Sequence, residues 1–227
     1  MAEQIWSIQR CSLFERLNSE ELSFLEQRAR MKLFVRNSAV YQPLEHAESV
    51  LVVVNGRVRL FSLTPDGKEV LLALIEPGDL FGELALAGSE FREEFAQAAV
   101  ESTIVAIPRD AMEAVLTKNA RLSMAVTRYI GLRRRSLERR LKNLLFRSNR
   151  DRLLGLLREL LEQYGRQIIE GILIDIRLSH QDLASLIGMT RESVTIVLGE
   201  LQNERLITIG RQRIVVLDPK RLAQIAS

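Results

Sequence analysis

Arg191 and Glu192 stand at the head of the stretch GMTRESVTIVLGELQNERLI, residues 188–207, and both are residue types that read base edges. A guanidinium fork donates to O6 and N7 of guanine, and a carboxylate accepts from the amino group of cytosine. An isolated Arg-Glu pair on a helix's first turn is ordinarily a pair of solvated charges, so its surroundings decide. Behind it Val194, Val197, Leu198 and Leu201 recur at the i, i+3, i+4, i+7 spacing that seats one side of a helix on a core. In front of it Thr190 offers a hydroxyl to the orphan amides of the first turn.

The segment before that, SHQDLASLIG at 179–188, has a Ser-x-x-Asp capping pattern and ends in glycine. A helix, a tight turn at Gly188 and a second helix make a helix-turn-helix. The run LITIGRQRIVVLD at 206–218 reads as a β-hairpin, which makes the motif a winged one. In such a motif the N-terminal residues of the second helix reach the base edges of the major groove. Arg191 and Glu192 are then placed to read neighbouring base pairs, while Ser179 and Gln181 are placed to hold phosphates. Charge agrees. Residues 1–127 carry 13 Lys/Arg against 18 Asp/Glu, and residues 128–227 carry 19 against 11, so only the second half has the balance a polyanion would attract.

The elements upstream follow a different period. From about Met31 to Ile107 short β-branched runs alternate with turn signals. SVLVVVNGRVRLFSL at 49–63 is broken at Asn55-Gly56, a hairpin signal, and a second break follows at Thr64–Gly67. Strands at this spacing predict an antiparallel sandwich or roll. Residues 1–30 read as short helices, with Asn18 or Ser19 as a cap before EELSFLEQRA. From about Asp110 to Phe146 the period becomes helical. Ile130, Leu137 and Leu144 lie seven apart, with Val126 and Leu141 on neighbouring positions, a seam suited to the same helix of a second subunit. The first part of that helix, before residue 126, also suits packing on its own domain. A further helix at RDRLLGLLRELLEQYG and a short strand at ILIDIRL precede the helix-turn-helix.

Composition closes off other classes. No apolar run approaches the roughly 18–20 residues of a membrane span, and the N-terminus lacks the layout of a secretory signal. Cys11 is the one cysteine, which excludes an internal disulfide framework and supplies too few thiolates for a zinc ribbon or an all-cysteine iron–sulfur cluster. His46 and His180 are too far apart in sequence to suggest a metal site, and no phosphate loop or nucleophile elbow is present. The expectation is a soluble, cytoplasmic protein that is not an enzyme and binds neither metal nor membrane.

The conjunction of PGDLFGELAL at 77–86, the long helix ending KNLLF and HQDLASLIGMTRESV at 180–194 resembles the cyclic-AMP receptor protein and FNR (Crp/Fnr) superfamily of bacterial transcription regulators over nearly the whole chain. The resemblance implies an α+β architecture. Residues 1–109 would form an effector-sensing β-roll with flanking short helices, 110–147 a long dimerisation helix, and 148–227 a winged helix-turn-helix that binds double-stranded DNA. It also implies a homodimer on a palindromic site, working with RNA polymerase. Arg191 and Glu192 match base-reading positions, and Thr190, Ser193, Ser179 and Gln181 fall among the DNA-contacting ones. Ile196 stands where a second base-reading arginine is expected, so guanine preference is lost there and a thymine methyl is the contact left open.

Gly82, Glu83 and Arg92 match the effector-binding cassette, in which the glutamate would take a ribose 2′-hydroxyl and the arginine a cyclic phosphate. Three positions depart. Glu93 replaces a small hydroxyl donor and would repel a phosphate, and Leu137 and Glu138 replace the hydroxyl pair that meets adenine across the dimer. These speak against cyclic AMP and leave open another acid as the effector, with Arg92 alternatively paired to Glu93 or Glu94. Two other readings stay open: an effector-independent regulator, and a nucleotide-binding module whose output is protein contact.

Overall fold

The computed structural model describes residues 11, 13–67, 69–210 and 213–225, without the side chains of residues 140, 144 and 223–225. The chain divides into two compact units, Met1–Arg135 and Ser136–Ser227, and the long helix crosses the boundary.

In the first unit a short 3-10 helix, Phe14–Arg16, precedes α1, Ser19–Arg28, which Asn18 and Glu21 start as a reciprocal capping box. Eight strands follow: β1 Arg30–Phe34, β2 Ala39–Tyr41, β3 Ser49–Asn55, β4 Val58–Leu63, β5 Glu69–Ile75, β6 Leu80–Phe81, β7 Phe95–Ala98 and β8 Ser102–Pro108. They pair antiparallel into two sheets, ordered β1-β8-β3-β6 and β2-β7-β4-β5, as the alternating turn signals predict. β3 explains the run SVLVVV. Its alternate residues point to opposite faces, and both faces are covered. Val50, Val52 and Val54 join a core with Leu25, Met112, Val115 and Leu122 of the helices, while Leu51 and Val53 join Leu60, Phe81 and Ile104 between the sheets. Gly56 closes the β3–β4 turn at φ +89°, where a Cβ would stand 2.3 Å from the Ser102 Oγ.

The helical stretch from residue 110 is two helices rather than one: α2, Arg109–Lys118, and α3, Ala120–Phe146. Asn119 makes the break. Its Oδ1 accepts from the Leu122 amide at 3.0 Å, capping α3, and its Nδ2 donates to Arg16 O at 3.2 Å and to Glu21 Oε2 at 2.9 Å. A side chain tied to the N-terminal helix on one side and to α3 on the other leaves Asn119 outside helical geometry. α2 packs on the roll through Met112 and Val115.

The second unit holds the end of α3, then α4 Asn149–Tyr164, β9 Gly165–Ile168, β10 Gly171–Ile174, α5 His180–Ile187, α6 Arg191–Asn203, β11 Ile207–Gly210, β12 Arg213–Val216 and α7 Pro219–Ile225. The strands form one sheet, β11-β12-β10-β9; β9 was not apparent from the sequence, because GRQI lacks alternation. The core is built from Leu153, Leu154 and Leu157 of α4, Leu183 and Ala184 of α5, and Val194, Leu198 and Leu201 of α6, each fully buried. Among the described residues no helix is long and apolar enough to cross a membrane.

Candidate nucleic-acid interface and effector cassette

α5 and α6 meet through a three-residue turn. Gly188 ends α5 in the left-handed region, φ +63°, and the amides of Gly188 and Met189 both return to Ala184 O. Thr190 then caps α6, accepting from the Ser193 amide at 3.1 Å and donating to the Ser193 hydroxyl at 3.0 Å. With Val194, Val197, Leu198 and Leu201 buried, the opposite face is fixed outward. Arg191 and Glu192 are exposed, and Ile196 keeps 63% of its surface. These three residues and the intermediate Ser193 therefore lie on the side of α6 away from the core, as the apolar spacing required.

Ser179 and Thr190 are caps first. Ser179 accepts from the Asp182 amide at 3.1 Å and gives its hydroxyl hydrogen to Asp182 Oδ2 at 2.6 Å, so in this arrangement its hydroxyl has no hydrogen left for a phosphate, and backbone amides at the start of α5 are the donors that remain. Gln181 is exposed and reaches Ser185 at 3.3 Å.

Three residues that sequence reasoning did not assign complete this face. A groove of about 610 Å³ is lined by Ser179, His180, Gln181 and Arg191 from the helices, and by Ile209 and Arg213 from the wing. His180 Nδ1 lies 2.9 Å from Thr195 Oγ1, and Thr195 donates in turn to Arg191 O at 2.9 Å. The threonine has one hydrogen, so with that hydrogen on Arg191 O the imidazole Nδ1–H is the donor. The link joins α5 to the first turn of α6 beneath Arg191. The histidine's place one residue after the capping serine was visible in the sequence; its partner fifteen residues on was not.

The roll's cassette is organised by different contacts from those the resemblance implies. Gly82 adopts φ +68°, and a Cβ there would meet Arg92 Nη1 at 2.5 Å. Arg92 is buried, with 7% of its surface exposed. Its Nη1 donates to Gly82 O at 3.1 Å and its Nη2 to Ser49 O at 2.6 Å, while its Cζ lies 4.5 Å from the centroid of the Tyr41 ring. Burial lowers the pKa of this guanidinium, yet its partners are carbonyls and a ring, so the expected pairing with Glu93 or Glu94 is not made. Glu93 faces solvent. Glu94 instead accepts from the Tyr41 hydroxyl at 2.6 Å, and burial pushes that phenol's pKa up. Glu83 is taken by α3: both its oxygens accept from Arg133 Nη1, at 3.0 and 3.1 Å. Next to it the Tyr129 hydroxyl donates to Leu80 O at 2.7 Å. A cavity of about 150 Å³ remains beside Arg92, lined by Lys32, Tyr41, His46 and Ser49 among others.

Along α3 the expected seam needs one correction. Val126 is 5% exposed and belongs to the roll's own core with Leu122, because the first two turns of α3 pack on that unit. Ile130, Leu137 and Leu141 are exposed at 38%, 45% and 57%. The side chain of Leu144 lies outside the described residues.

Comparison with known proteins agrees with this geometry. Residues 31–119 match the cyclic nucleotide-binding domain, and residues 151–225 match the Crp-like helix-turn-helix domain. The chain is 31% identical over 196 residues to the global nitrogen regulator of Nostoc sp., covering 86% of this chain and 88% of that protein. It is 25% identical to the CRP-like cAMP-activated global transcriptional regulator of Mycobacterium tuberculosis, over 96% of this chain and 97% of that one. The solved structure of a CooA mutant from Carboxydothermus hydrogenoformans shares the fold, with a TM-score of 0.81 at 24% identity over 98% of this chain and 99% of that one. A β-roll, a long helix and a winged helix-turn-helix in this order, carried by a chain this similar to known regulators, place the protein in the Crp/Fnr family of transcription regulators.

Proposed function

We propose that this regulator binds a palindromic DNA site as a homodimer and does so without cyclic AMP. The observation that carries the DNA reading is the outward face of α6, where Arg191, Glu192 and Ile196 are exposed while the helix's other side is buried. Arg191 and Glu192 read base edges, and Ser179, Gln181, Thr190 and Ser193 set the register on the backbone through amides and side chains. The exposed stripe Ile130, Leu137 and Leu141 pairs two copies of α3, giving the two-fold arrangement that a palindrome mirrors. Residues 148–227 act as the DNA-binding module and α3 as the dimerisation element. The protein works in the cytoplasm and acts through RNA polymerase.

Independence from cyclic AMP is supported by the cassette. The carboxylate a ribose hydroxyl would need is held by Arg133, and the guanidinium a cyclic phosphate would need is held by Gly82 O and Ser49 O. Binding the nucleotide would break both sets of contacts. Leu137 and Glu138 supply no hydroxyl pair for the adenine.

Selection of binding sites from a random duplex pool at one fixed salt concentration, with and without cyclic AMP, tests both statements. The expected result is one palindrome enriched equally in the two arms, bound roughly 10³-fold or more tighter than random duplex. Enrichment only with cyclic AMP would overturn the independence. Saturable nucleotide binding with no DNA preference would favour a module whose output is protein contact.

A further inference from the structure

Two arginines of α4 reach the helix-turn-helix, one at the turn before α6 and one at the C-terminal end of α6. Arg152 Nη1 donates to Ile187 O at 3.1 Å and to Gly188 O at 3.2 Å. These are carbonyls at the C-terminus of α5, left without partners by the end of that helix and favoured sites for a cation. They sit in the turn three and four residues before Arg191. At the other end Arg150 Nη2 meets Glu204 Oε2 at 2.7 Å, and its Nη1 meets Glu200 Oε2 at 3.5 Å.

The two glutamates need an explanation. They stand at the C-terminal end of α6, where the helix dipole disfavours negative charge, and the last turn of α6 has no basic residue of its own. Arg150, with 30% of its side chain exposed, compensates both from α4. The arginine–glutamate contacts therefore relieve an unfavourable placement rather than decorate a surface.

Between these ends the packing is apolar. Leu153, Leu154 and Leu157 of α4 and Val194, Leu198 and Leu201 of α6 are fully buried. Apolar burial is non-directional, and it tolerates small rotations of one helix on another that would move Arg191 relative to a base edge. Directed contacts at the two ends of the unit remove that freedom. Both arginines lie in the first turn of α4, just after the Ser148 cap and four and six residues beyond the end of α3 at Phe146.

We propose that Arg150 and Arg152 are positioning residues for DNA reading, fixing the rotation and register of α6 on α4 and so the presentation of Arg191 and Glu192, without themselves touching DNA. This rests on the assignment of Arg191 and Glu192 as base readers. Every α4 movement is then passed to the reading face as a rigid-body movement.

The test uses the full chain and four variants: Arg152→Ala, Arg152→Lys, Arg150→Ala and the charge swap Arg150→Glu with Glu204→Arg. Each is measured for affinity to the palindrome selected by the wild type, for affinity to a random duplex of equal length at the same salt, and for thermal unfolding. Arg152→Ala and Arg150→Ala are expected to lose about tenfold on the selected site and less than about twofold on random duplex. The salt slope stays unchanged, because no phosphate contact is lost. The swap recovers most of the selectivity that Arg150→Ala loses, and Arg152→Lys falls between Ala and wild type.

Equal losses on both duplexes with a salt slope shallower by about 0.9 would show a phosphate contact and overturn the proposal. So would full selectivity in every variant, or a swap no better than Arg150→Ala, which also decides the matter if Arg150→Ala fails to fold. A wild type that prefers no duplex would bring down the base-reading assignment and the positioning role together, a result distinct from losing only the latter.

Discussion

Both carboxylate oxygens of Glu83 accept from a single nitrogen of Arg133, at 3.0 and 3.1 Å, and this pair ties the short 3-10 helix Glu83–Ala87, which follows β6, to the long helix. The side chains are 13% and 22% exposed, so solvent screens the contact only in part. Arg133→Ala would leave Glu83 half-buried with its charge uncompensated, which costs about 1.5–3 kcal/mol for a charged hydrogen bond. The expected outcome is a fall of several degrees in Tm by calorimetry, with no saturable heat on adding cyclic AMP. An unchanged Tm would mean that the pair contributes nothing in solution, and saturable binding would mean that the arginine is what keeps the nucleotide out.

That pair also marks where the sequence stopped being informative. The strands were legible because turn residues such as Gly56 are forced by backbone conformation, and α6 was legible because burial follows a 3.6 period. The break at Asn119 was not, since it depends on Arg16 and Glu21, about a hundred residues upstream. The contacts inside the cassette were not legible for the same reason. Gly82, Glu83 and Arg92 carry a familiar local pattern, but what occupies Glu83 is Arg133, fifty residues on. A cap or a turn is decided within four residues; a partner chosen by tertiary packing leaves no local trace. Even so, the outward face of α6 needed only local rules, and Arg191 and Glu192 are exposed on the side away from the apolar stripe, as its spacing required.

Leu137 tests the dimer. It is 45% exposed on α3 and lies seven residues after Ile130. Leu137→Glu would place a carboxylate opposite its own copy across a two-fold seam. Sedimentation at micromolar concentration should show the wild type as a dimer and the variant shifted strongly toward monomer. A variant that sediments as the wild type would remove this stripe from the interface.

Cys11 predicts a pH dependence. The thiol is fully buried, and burial pushes its pKa up from 9.0 to about 11. The folded state thus holds its proton where the unfolded state releases it, so stability is unaffected below about pH 9 and falls as pH rises from 9 toward 11. Replacing the thiol by Cys11→Ala should flatten that part of the profile in urea titrations, at the expense of a lower plateau from the lost packing. In the native state at pH 8 a thiol-specific alkylating reagent should react only as fast as the protein opens. Rapid labelling without unfolding would show that the burial is not maintained.

Arg191 is the direct test of base reading. Arg191→Ala should cost about 1–3 kcal/mol on the selected palindrome and relax preference at one base pair in each half-site. Binding to random duplex should change far less. Equal losses on both would reduce Arg191 to a phosphate contact.

Ile196 gives the complementary gain. It is 63% exposed on the same face, one turn beyond Glu192, and it has no group that can donate to guanine. The wild-type consensus should therefore carry no guanine requirement at the base pair facing it, with thymine tolerated through its methyl group. Ile196→Arg restores a fork at that position without touching the buried stripe of Val194, Val197 and Leu198, so the fold should be unaffected. Repeating the site selection with this variant should introduce guanine at one new position per half-site and leave the pairs read by Arg191 and Glu192 unchanged. If the wild type already demands guanine there, another side chain does the reading; His180 and Arg213, which line the groove beside Arg191, would be the residues to substitute next.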